Sequence, residues 1–111
     1  MNAAQIDRLL ASVPPDTEER HLKRVRGYAA SARRIDERIS ALRGELERAL
    51  RAVDEAAAEG RGDEAADAAL ELARELDSLE RVQPRVDSWL RVAVGAVSDD
   101  PGLEPFGEGP A

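Results

Sequence analysis

His21 is the single histidine of the 111-residue chain, and there is no cysteine. A Ser-His-Asp or Cys-His constellation needs an imidazole held by a carboxylate. His21 is flanked instead by Arg20, Lys23 and Arg24, a setting that reads as helix surface. The Asp and Glu residues recur at helical spacing as a solvated face, with Glu47/Arg51 an attractive pair and Glu71/Glu75 a repulsive one. The most directed chemistry is basic. Arg20, Lys23, Arg24, Arg26, Arg33 and Arg34 follow one another with no acid between them, a local charge of +6 in a chain of net charge −7. Such a stretch suits phosphates of nucleic acid, anionic lipid heads or the acidic helices of a protein. No recognition-helix motif accompanies it and the whole-chain charge opposes nucleic acid, so pairing with acidic helices is the expectation and nucleic acid the alternative. No catalytic, cofactor-binding or metal-binding residue is expected, and the chain reads as non-enzymatic.

These side chains must be positioned by helices. Leu22, Val25, Ala29, Ala32, Ile35, Ile39, Leu42, Leu46, Leu50 or Ala49, Val53 and Ala57 fall in steps of three and four, as one face of a long amphipathic helix over 16–59. Asp16 is its expected N-cap, with Glu19 as capping-box partner. Gly27 and Gly44 interrupt it as flexible or close-packed points. Gly60-Arg61-Gly62-Asp63 then makes a turn, with Gly60 in the left-handed position and Asp63 capping the next helix. The same spacing returns over 63–97 in Ala66, Ala69, Ala73 or Leu72, Leu76, Leu79, Val82, Val86, Trp89 or Leu90, Ala93 and Val97. So short a turn makes the two helices antiparallel neighbours. A fold-back centred near Arg61 sets Trp89 opposite the small residues Gly27, Ala29, Ala30 and Ala32. Pro84 removes a backbone donor inside the returning helix and predicts a kink or break over 82–84.

The ends complete the design. Ile6, Leu9, Leu10 and Val13 are spaced for a short helix over 3–13, which Pro14-Pro15 terminates. Trp89, Leu90, Val92, Ala93, Val94, Ala96 and Val97 are more apolar than a two-helix seam can bury, so the short helix, a second copy or a partner is expected to cover them. The fold expected is all-α: a long antiparallel, coiled-coil-like hairpin forming one domain over 1–98, with the short N-terminal helix on its open end. Residues 99–111 read as a flexible Pro/Gly-rich tail in which Leu103 and Phe106 offer a docking peptide. No apolar run approaches the roughly 20 residues of a membrane span, and no secretory signal is seen at the N-terminus. The expected location is the cytoplasm or a phage particle.

Two likenesses bear on function. Glu18-x-x-His21 resembles the Glu-x-x-His unit of ferritin-like di-iron bundles, which need two such units and further inward glutamates. In length and helical-hairpin layout the chain is similar to the WXG100-type secreted proteins. Where those carry Trp-x-Gly at the turn, this chain has Gly60-Arg61-Gly62-Asp63, and its only tyrosine, Tyr28, is followed four on by Ala32 rather than by an acid. That likeness is one of size and shape. The functional expectation is an interaction or assembly subunit of a larger bacterial or phage complex, with a protein partner or itself as homo-oligomer. Its expected interaction residues are the six basic residues together with Trp89, Leu90, Val94, Leu103 and Phe106. An accessory nucleic-acid-binding subunit is the alternative, and a secreted hairpin or a ferritin-like metal protein comes third.

Overall fold

Asn2 opens the first helix with a reciprocal cap. Its side chain accepts from the Gln5 amide at 2.9 Å, and the Gln5 side chain accepts from the Asn2 amide at 2.8 Å. Helix α1 covers Ala3–Ala11, α2 Glu19–Ala58 and α3 Gly62–Gly95. The computed structural model describes residues 1–98, so the expected tail at 99–111, with Leu103 and Phe106, lies outside the described residues. The two long helices pack against each other as a helical hairpin, the architecture the apolar spacing predicts.

The long helix begins three residues later than its expected start. Pro14 O accepts both the Thr17 amide, at 3.2 Å, and Thr17 Oγ1, at 2.7 Å, closing a turn over Pro15 and Asp16. Asp16 is thereby kept from the cap. The first i→i−4 bond runs instead from the Leu22 amide to Glu18 O. Inside α2, a Cβ at Gly27 would meet nothing within 4 Å, so the close packing expected there does not occur.

At the other end Gly60 takes a φ of +77°. The Gly60 amide donates to Ala57 O at 3.1 Å and the Arg61 amide to Ala56 O at 2.8 Å, the paired bonds of a Schellman cap. α3 then opens at Gly62, which places Asp63 inside its first turn rather than at the cap. A Cβ at Gly62 would lie 3.3 Å from Ala57 Cα, so this glycine permits the close approach of the turn to α2. Gly60→Ala is expected to cost about 1 kcal/mol, the strain of a left-handed alanine; a thermal midpoint unchanged by the substitution would show that the turn rearranges.

α3 runs unbroken through Pro84, so of the expected kink or break the break does not form. The chain does divide beside this proline into two compact units, Met1–Asp36 with the chain from Val82 onward, here the head, and Glu37–Arg81, the arm.

The head has three helical pieces around one core. Ile6 and Leu9 of α1 join Val25, Ala29 and Ala32 of α2 and Val86, Leu90, Ala93 and Val94 of α3, with Met1, Leu10, Val13, Tyr28 and Ile35 packed around them. α1 therefore covers the apolar end of α3. The amino group of Met1 donates to Asp87 Oδ2 at 2.7 Å and adds a polar tie between the chain start and α3. The arm is thinner: Ile39, Leu42 and Ala69 are buried, and Leu46, Ala49, Val53, Leu72, Leu76 and Leu79 are half-buried. Arg38 donates to Glu75 through both Nε (3.0 Å) and Nη2 (2.9 Å), and Arg43 pairs with Glu80 at 3.4 Å.

Candidate interaction surface

Trp89 and Leu90 are adjacent on α3 and therefore about 100° apart around the helix. The choice between them decides what the head presents. Leu90 is 0% exposed and Val94 likewise, whereas Trp89 is 51% exposed and Val92 46%. Leu90 and Val94 thus belong to the core, which corrects the expectation that they serve an interface. Trp89 remains at the surface, level with the stretch 27–32 of α2 that the expected register set opposite it. Its ring lies against Tyr28, with centroids 6.1 Å apart and planes tilted by 43°, within the range of a favourable aromatic pair.

Two shallow grooves flank the indole. One, of about 120 Å³, is lined by Arg24, Tyr28, Trp89, Val92, Ala93 and Ala96. The other, of about 350 Å³, is lined by Pro84, Arg85, Ser88 and Trp89. Each groove therefore pairs an apolar wall with one guanidinium. A third hollow, of about 300 Å³, lies under the proline link and is lined by Leu10, Val13, Pro14, Pro15, Leu22, Val25 and Arg26.

The basic stretch is partly neutralised from outside itself. Arg20 pairs with Glu18 at 2.9 Å, Arg26 with Glu19 at 3.7 Å, and Arg33 with Asp7 of α1. Arg34 donates to Ser31 Oγ at 3.3 Å. Lys23, Arg24 and Arg85 of the second groove are exposed and Arg91 is half-buried, and among the described residues none of the four makes an ion pair. The acids that take the other bases stand at positions 7, 18 and 19, outside the run from 20 to 34. Counting charge along that run alone misses them.

Among the described residues no three His, Asp or Glu side chains cluster as metal ligands. Glu18 of the Glu18-x-x-His21 unit is held by Arg20. His21 is half-buried and has no hydrogen-bonded carboxylate among the described residues that would orient it for base catalysis. No described helix is long and apolar enough to cross a membrane. The head thus presents the apolar Trp89 and Val92 beside the guanidinium groups of Arg24 and Arg85. The chain matches no protein-family model, no curated protein and no solved structure.

Proposed function

We propose that this chain is a non-enzymatic interaction or assembly subunit that engages a protein partner through the Trp89 face of its head. The observation that carries this reading is the half-exposed Trp89, with Val92 beside it, between two grooves that each hold a cation without an acidic partner among the described residues. Large aromatics and arginine are the side chains that most often anchor protein interfaces. The cytoplasm or a phage particle is the location that goes with this role.

Site-specific photo-crosslinking tests it. A photoreactive residue at position 92 is expected to give one discrete adduct in cells producing the chain, and the same residue at Ser40, exposed on α2, is expected not to give that adduct. Identical adduct patterns at both positions would remove the Trp89 face from the proposal.

A nucleic-acid-binding role is favoured only by the basic side chains of the head that make no ion pair among the described residues, Lys23 and Arg24 of the basic stretch among them. It predicts binding that weakens steeply with salt. With Arg20, Arg26 and Arg33 already paired to carboxylates and a net charge of −7 over the chain, gel shifts at low salt are expected to stay negative.

A further inference from the structure

The charges left over after internal pairing are segregated. Among the described residues of the head, Arg8, Lys23, Arg24, Arg34, Arg85 and Arg91 are basic side chains outside any ion pair, against Asp16 and Asp36 on the acidic side. In the arm the balance reverses. Glu37, Asp54, Glu55, Asp63, Glu64, Asp67 and Glu71 stand outside ion pairs, against Arg48 and Arg74.

Exposed apolar side chains follow the same division. On the head, Trp89 and Val92 lie beside Arg24 and Arg85. On the arm, Leu50 is 53% and Leu70 48% exposed. Asp54 lies one turn on from Leu50 and Asp67 one turn back from Leu70, so each leucine shares its helix face with an aspartate. A leucine flanked by a carboxylate is the complement of an indole flanked by a guanidinium. Each copy carries both halves of the match.

We infer that the head of one copy docks on the arm of a second copy, with Trp89 and Val92 against Leu50 and Leu70 and with Arg24 and Arg85 against Asp54 and Asp67. This rests on the reading of the Trp89 face as an interaction surface and names its occupant. Charge complementarity sets the partner and orientation, and apolar contact holds it. Such contacts between unlike surfaces of identical chains produce either a closed assembly or an open string.

The test is absolute mass by light scattering on the full chain across a concentration series, with helicity checked by circular dichroism. At low salt the mass is expected to reach at least twice the 12.0 kDa of one chain. At about 1 M salt, where the screening length falls to roughly 3 Å, it is expected to drop towards one chain. Arg24→Glu with Arg85→Glu is expected to be monomeric, as is Asp54→Arg with Asp67→Arg. Mixing the two variants restores opposite charge at both contacts, and association is expected to return.

A monomer under all conditions would overturn the inference. So would association that survives either charge reversal, or two reversed variants that fail to combine. Trp89 fluorescence shielded from quencher at every concentration, and unshielded by Leu103→Ser with Phe106→Ser, would assign the face to the chain's own C-terminal residues and equally overturn it. A position-92 adduct with a foreign protein would overturn the second copy as occupant and leave the interaction role standing. Identical adducts at positions 92 and 40 would overturn the role itself.

Discussion

Leu90→Ala is expected to lower the stability of the chain by about 3 kcal/mol, the middle of the range for emptying a fully buried leucine site. Trp89→Ala, one residue earlier, is expected to cost less than about 1 kcal/mol, because half of the indole already faces water. The difference is large against a total stability of roughly 5–15 kcal/mol for a domain of this size. It arises from the core, where Leu90 meets α1 and α2 in one cluster with Ile6, Leu9, Val25 and Val94. Urea unfolding followed by circular dichroism measures both. Equal midpoints for the two variants would mean that Trp89 is buried in solution as fully as Leu90. The variants should also separate by phenotype: Trp89→Ala folds and loses association, and Leu90→Ala loses the head.

Pro84→Ala is expected to stabilise the chain. A proline inside a helix costs about 3 kcal/mol relative to alanine, through the missing amide and the clash with the carbonyl four residues back. Proline also restricts the unfolded chain, and removing it returns up to roughly 1 kcal/mol of entropy to that state. Because α3 continues through position 84, an alanine there can donate to Glu80 O without rebuilding the helix. A net gain of about 1–2 kcal/mol follows, read as a higher thermal midpoint. A loss on substitution would show that the proline ring makes packing contacts that outweigh the backbone bond.

The hairpin itself was legible. Steps of three and four placed Val25, Ala29, Ala32, Ile39 and Leu42 on the buried side of α2, and Val86 and Ala93 on that of α3. Gly60-Arg61-Gly62-Asp63 signals the turn, and among the described glycines Gly60 is the one that takes the left-handed backbone. The helix start was misplaced because Asp16 and Glu19 satisfy a capping pattern that the Thr17–Pro14 turn pre-empts. Pro84 was read by its local cost, which a helix packed on its neighbour can absorb.

The interaction residues were harder. Trp89 and Leu90 both fit an apolar spacing, and the local pattern does not say which one the incoming α1 selects. Size favours Trp89 opposite small residues; in the structure Ala29 and Ala32 share their core with Ile6, Leu9 and Leu90, and the Trp89 ring lies against Tyr28. The basic stretch looked like one patch because its neutralising acids are Glu18 and Glu19, just before it, and Asp7 on another helix. Pairing across elements is a property of the fold and leaves no mark in a run of residues.

The arm's seam is graded, and this bears on how the hairpin moves. Its two fully enclosed large side chains, Ile39 and Leu42, stand towards the Asp36 end, while the last turn before Gly60 contributes only the half-buried Ala56, with Ala57 and Ala58 exposed. Parting the strands of the hairpin at the turn uncovers little oil, and each further turn uncovers more. Transient opening is therefore expected to proceed like a zipper from the Gly60 end, past half-buried side chains such as Val53 and Leu46, and to meet its first fully enclosed large side chain at Leu42, where the slowest amide exchange of the arm is expected to begin.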